Sequence, residues 1–129
     1  MYWTRRAGGG HSAVVSKGGM DGSNLRDLIE GSSEADGIVI DLKGRRLYWS
    51  DRSNSRIQSS NLDGGDVVTV HQLSASPYGI GLLGERLYWS HRDINTVQSS
   101  SIQPGSDVRV EVEAVGNAVA RHFIVPLLF

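Results

Sequence analysis

The chain has 129 residues, 13 basic and 14 acidic side chains, no cysteine and a formal net charge of -1. That length suits one domain with a modest core, and the balanced charge gives no electrostatic reason to expect nucleic acid or an anionic membrane as partner. The missing thiols exclude disulfides, thiolate metal sites and cysteine nucleophiles, and no apolar run reaches the length that crosses a bilayer.

In chain order, Met1-Tyr2-Trp3-Thr4 reads as a short strand, without the apolar core of a secretion signal. A loop from Arg5 to His11 follows, containing Gly8-Gly9-Gly10, and then Val15-Ser16-Lys17-Gly18-Gly19-Met20-Asp21-Gly22 runs into a turn. The apolar run Ile38-Val39-Ile40 places a strand at Gly37 to Leu42, and Gly44 separates it from a second strand at Arg46 to Ser50. A third strand is expected at Ser55 to Ser60, since so Ser-rich a stretch makes a poor helix interior. Asp63-Gly64-Gly65 is a hairpin signal, and Val67, Val68 and Val70 mark a fourth strand at Asp66 to His71. The same order returns at Tyr78 to Leu83, Arg86 to Ser90, Asn95 to Ser100 and Asp107 to Glu111. Ala118 to Val125, in the tail 113–129, is a candidate first strand of one more unit.

These elements repeat. Leu47-Tyr48-Trp49-Ser50 recurs as Leu87-Tyr88-Trp89-Ser90, and Met1-Tyr2-Trp3-Thr4 is an earlier copy. Arg56 to Gly64 aligns with Thr96 to Pro104, and Gly37-Ile38-Val39-Ile40 with Gly79-Ile80-Gly81-Leu82. A period of about 42 residues built from four short strands is the signature of a propeller blade. The expected fold is all-β, a partial β-propeller of about three four-stranded blades: a partial blade in 1–30, a complete one in 37–71 and a diverged one in 78–112.

The repeated residues resemble the YWTD, or low-density lipoprotein receptor class B, repeat family. Gly37-Ile38-Val39-Ile40-Asp41 stands at the family's first strand, Leu47-Tyr48-Trp49-Ser50-Asp51 at its second, and Ile57, Leu62, Asp63 and Gly64 at its third segment. The resemblance covers about Met1 to Val112. It implies kinship with six-bladed propellers of receptor or matrix proteins, in an extracellular or cell-surface and endosomal setting, with protein ligands and no cofactor. It also implies that the acid closing the motif braces neighbouring blades. Asp51 holds that place in the middle copy, whereas Arg5 and His91 occupy it in the other two, which puts those blade junctions in question. Six blades need about twice this chain. The alternatives are a fragment of a longer propeller and a half-propeller that closes into a six-bladed homodimer.

Strand parity gathers the loops after strands two and four at one end, and loops on a rigid scaffold are where binding residues concentrate. Arg5, Arg6, His11, Arg52, Asn54, His91 and Arg92 are therefore the expected contributors to a mildly basic protein-binding face. Tyr48, Trp49, Tyr88 and Trp89 are expected to pack between blades, one of each adjacent pair on either face, and Tyr2 and Trp3, at the same motif places, to be more exposed because their preceding strand is absent. Asp63 and Gly64 are expected to serve the hairpin turn. Gly8-Gly9-Gly10 lacks the Gly-Lys-Ser/Thr ending of a phosphate loop. His11, His71, His91 and His122 share no ligand spacing, so no metal is expected. Acids that recur at equivalent turns read as scaffold rather than as catalytic groups, so no enzyme is expected.

Overall fold

The computed structural model describes residues 1–5, 13–31, 35–91 and 94–113. Among them are eleven strands and no helix. Strands β1 (Tyr2–Arg5), β2 (Ala13–Lys17) and β3 (Arg26–Gly31) form the first sheet. Strands β4 (Ala35–Asp41), β5 (Arg46–Asp51), β6 (Arg56–Asn61) and β7 (Val68–Gln72) form the second. Strands β8 (Pro77–Leu83), β9 (Arg86–His91), β10 (Thr96–Ser101) and β11 (Arg109–Glu113) form the third. Each sheet is an antiparallel meander in chain order, so the fold is all-β and propeller-like.

Several strands start later than the sequence pattern places them, for one local reason. Ser55, Asp66 and Asn95 have φ of +51°, +51° and +50°. A residue in that left-handed region cannot continue a strand, so β6, β7 and β10 begin after it. The link from β3 to β4 is short, because Glu30 and Gly31 belong to β3 and Ala35 and Asp36 to β4. The candidate strand at Ala118 to Val125 lies outside the described residues.

The repeat extends to irregularities. The pairing of the third with the fourth blade strand shifts at Val15/Ser16, Ile57/Gln58 and Val97/Gln98, the same place in all three sheets. Such bulges raise the local right-handed twist, and here they fall at the same place in each sheet.

Two apolar layers hold the sheets together, and alternation along β5 feeds both. Leu47 and Trp49 join Val15 and Ala35 between the first and second sheets, with Tyr2, Leu28, Ile38 and Leu62 packed around them. Tyr48 points the other way. It joins Ile57, Val70, Ile80, Leu87 and Trp89 between the second and third sheets. The innermost strands β4 and β8 run close together. A Cβ on Gly37 would lie 2.9 Å from Ile80 Cγ2 and 3.0 Å from its backbone nitrogen, so glycine is required for that approach.

Candidate functional site

The hydroxyl in the motif's fourth position links one sheet to the next. Thr4 Oγ1 donates to the carbonyl of Asp36 at 2.6 Å, and Ser50 Oγ donates to the carbonyl of Tyr78 at 2.7 Å. Ser50 Oγ also accepts from Gly37 N at 2.9 Å, and Ser90 Oγ accepts from Gly79 N at 3.1 Å. The bracing that the family resemblance assigns to Asp51 is thus made by the residue before it. Asp51 is fully buried and acts inside its own sheet, where its carboxylate accepts from Arg56 Nε at 2.6 Å and from the Asn54 side-chain amide at 3.1 Å.

His91 corrects the sequence reading. It was expected on an exposed basic face, but it is 1% exposed. Its Nε2 lies 2.6 Å from Gln98 Oε1 and its Nδ1 lies 3.2 Å from the Ser76 carbonyl. The imidazole fills the place of Asp51, and its cross-strand neighbour is Thr96 where Asp51 has Arg56. An uncharged residue opposite removes the need for an acid. The exchange leaves one buried group behind, because Thr96 Oγ1 has no hydrogen-bond partner among the described residues. Arg5 solves the same position differently. Its side chain stays 48% exposed and reaches Asp27 at 3.2 Å.

Arg52 and Asn54, the other described members of the expected basic face, carry partners. Arg52 Nε lies 3.2 Å from Asp36 Oδ2, an ionic contact rather than an aligned hydrogen bond. Asn54 is held by Asp51, and its backbone carbonyl accepts from Gln72. Arg6, His11 and Arg92 lie outside the described residues. This end is therefore close to electrically neutral where it is described. Asp27 and Asp36, which pair with Arg5 and Arg52, carry no motif signal in the sequence.

Trp49 and Tyr48 lie in different layers, Trp89 lies in the second, and Tyr2 packs against the first. His71 is buried beside Trp89, their ring centroids 5.5 Å apart, and its Nε2 bonds Ser100 Oγ across the sheet junction at 2.7 Å. Burial lowers its affinity for a proton below that of a free histidine. Gly64, at φ +92°, sits at the tip of the β6–β7 turn against the backbone of Leu28 in the first sheet. Gly105 repeats this one sheet on, and its N–H donates to the Val70 carbonyl at 2.9 Å.

At the opposite end of the sheets, where β2–β3, β4–β5 and β6–β7 turn, there are recesses of 580, 370 and 320 Å³. The first is lined by Lys17, Asn24, Leu25 and Arg26, and the last by Lys17, Arg45, Leu62 and Asp63. The recess of 370 Å³ lies at the second junction and is lined by Asp41, Arg46, Tyr48 and Asp66. The sequence reading overlooked this end, since strand-end cations resemble ordinary solvated residues until the turns are placed. Among the described residues no three His, Asp or Glu side chains gather as a metal site.

Residues 45–80 match the family model described as low-density lipoprotein receptor repeat class B. Human low-density lipoprotein receptor-related protein 5 is 33% identical over 72 residues, which is 56% of this chain and 4% of that protein. The vitellogenin receptor of Solenopsis invicta is 35% identical over 80 residues, 60% of this chain and 4% of the receptor. The chain thus spans a small part of the curated relatives it matches. A chain of a crystal structure of a nidogen/laminin complex superposes with a TM-score of 0.70 at 20% identity, covering 80% of this chain and 42% of the other. A luciferin-regenerating enzyme superposes with a TM-score of 0.63 at 16% identity, covering 78% and 37%. At such identities the likeness is one of fold.

Proposed function

We propose that this chain, which carries repeats of the low-density lipoprotein receptor class B (YWTD) family, is a non-catalytic protein-binding segment of an extracellular or cell-surface protein. One observation carries this reading. The polar groups that the repeat buries, Ser50, Asp51, His91 and Ser100, are bonded to the scaffold itself, which leaves the turns at the sheet ends as the surface offered to a partner. The receptor relatives and the nidogen fold neighbour support the setting and the class of ligand. Arg5, Arg52 and Asn54 form one candidate contact surface. Their acidic neighbours make it a surface of hydrogen bonds and shape rather than of net charge.

The test is direct binding of the purified chain to a panel of secreted extracellular proteins by interferometry, repeated with Arg5→Ala and Arg52→Ala. Saturable binding weakened by either change is the expected result. A panel without a binder, together with measurable turnover of any hydrolase substrate, would overturn the reading.

A second reading, self-association into a closed ring of two copies, is favoured by the outer face of the third sheet. Tyr88 and Val97 are partly exposed there, at the places where Tyr48 and Ile57 are buried in the second sheet. The hydroxyl of Ser90 accepts from Gly79 but, unlike Ser50, donates to no carbonyl among the described residues. That face has the form of a surface waiting for another blade. Sedimentation equilibrium separates the two: a defined dimer that Tyr88→Glu dissociates supports self-association, and a monomer refutes it.

A further inference from the structure

Four cations at the turn end lack an acidic partner among the described residues: Lys17, Arg26, Lys43 and Arg45. Lys17 and Arg26 are directly opposite each other in the β2–β3 ladder. Like charges in that relation repel, and no counter-ion stands beside them among the described residues. Lys17 stands over the face of Tyr2, whose ring centroid is 5.5 Å from Nζ. Lys17 also lies on the wall of two recesses, sharing one with Arg26 and the other, at the junction of the first two sheets, with Arg45. Three cations therefore line the pair against a single carboxylate, Asp63, which accepts from Gly65 N in its own turn.

The other acids of this end are placed away from that junction or bound into turns. Asp41 and Asp66 line the recess between the second and third sheets, where Asp66 pairs with Arg46 at 2.9 Å. Asp21 accepts from the backbone and hydroxyl of Ser23. The two recesses at the first sheet carry three cations against Asp63, with Asp21 on the adjoining turn, whereas the recess at the second junction carries two acids against Arg46.

Apolar side chains flank the positive junction. Met20, Leu25 and Leu42 are 86%, 62% and 76% exposed, on the two turns that carry the cations. Leu25 lines the larger recess and Leu62 the smaller. Cations alone would suit any polyanion. Cations interleaved with exposed aliphatic side chains suit a ligand that has both carboxylates and apolar groups.

We propose that this surface, the two recesses lined by Lys17, Arg26, Arg45 and Leu25 with the exposed Met20 on the adjoining turn, is a docking site for an acidic peptide segment with interspersed aliphatic residues, supplied by a partner protein. The proposal rests on the protein-binding reading and names the chemistry of the partner at a surface separate from Arg5 and Arg52.

The experiment is fluorescence anisotropy of the full chain with a labelled peptide of alternating glutamate and leucine, with a lysine-for-glutamate peptide as control and a heparin fragment as competitor. Saturable binding of the acidic peptide that weakens as salt rises is expected, with no binding of the basic one. The pair Lys17→Glu and Arg45→Glu should lower affinity roughly tenfold or more, the sum of several rim charges. The pair Met20→Ser and Leu25→Ser should lower it severalfold without changing the salt dependence. Lys17→Glu faces Arg26, so it should leave the unfolding midpoint unchanged or raise it, which guards against a folding artefact. Peptide binding indifferent to both pairs overturns the proposal. So does heparin binding that needs the cations but ignores Met20 and Leu25, because the site then takes polyanions in general. Loss of this proposal leaves the wider reading intact if an extracellular protein still binds and Arg52→Ala weakens it.

Discussion

Ser50 and Tyr78 stand in neighbouring sheets, and the Ser50 hydroxyl donates to the Tyr78 carbonyl at 2.7 Å while accepting from Gly37 N. Thr4 and Asp36 make the same bond one sheet earlier. The residue that varies between Thr and Ser in the repeated motif is thus the one that stitches successive sheets, and a hydroxyl is its essential feature.

Ser50→Ala removes a fully buried hydroxyl that serves two backbone groups. A loss of about 1–3 kcal/mol is expected, the cost of leaving buried polar groups unsatisfied. Ser50→Thr should keep the bond, as Thr4 does, and lose less. Urea unfolding of the three proteins, compared by midpoint at constant slope, is the measurement.

Asp51 and Thr96 should respond in opposite directions. Asp51→Ala strands Arg56 and Asn54 and should cost about 3 kcal/mol, the scale for breaking a buried charged hydrogen bond. Thr96→Val replaces a buried hydroxyl without a partner among the described residues by an isosteric methyl group. It should be neutral or stabilise by up to about 1 kcal/mol. A midpoint that falls substantially for Thr96→Val would mean that the hydroxyl has a bond within the folded protein.

Gly64 and Gly105 occupy equivalent turns but unequal surroundings. Both have positive φ, at +92° and +73°. A Cβ on Gly64 would lie 2.8 Å from the Leu28 carbonyl oxygen, whereas nothing lies within 4 Å of one on Gly105. Gly105→Ala should therefore cost only the left-handed backbone penalty, about 1–2 kcal/mol. Gly64→Ala should cost more, since it also pushes the turn off the first sheet. Thermal unfolding of both variants tests the order.

His71 makes stability depend on pH. Its folded proton affinity is lowered by burial at the junction of the second and third sheets, so the unfolded chain binds the proton more readily. Its contribution is fully present above the unfolded value of about 6.5 and is lost as pH falls below it toward the lower folded value. Unfolding midpoints measured from pH 7.5 downward should decline through that window. His71→Gln should flatten the decline attributable to this residue, and an unchanged slope would show that other groups set it.

The sequence by itself determined the repeat, the strands of each blade, the turn signals and the division of Tyr48 and Trp49 between two layers. Those features depend on local spacing: period-two alternation along a strand and conformational demands at Gly64 are met within a few residues. The sequence also showed that Arg5 and His91 stand where Asp51 does, but not what that means. Only the tertiary structure decided that His91 is buried against Gln98 and Ser76, that Arg5 stays exposed beside Asp27, and that Arg52 is balanced by Asp36. The same holds for Lys17, Arg26 and Arg45, which have no acidic partner among the described residues and line two recesses at the turn end. Whether a charge is exposed, paired or free depends on which distant groups the stacked sheets bring within a few ångströms, and linear spacing carries no record of that. The repeat that first identified the blades thus specifies a scaffold, while the surface on which a partner would act is set where the blades meet.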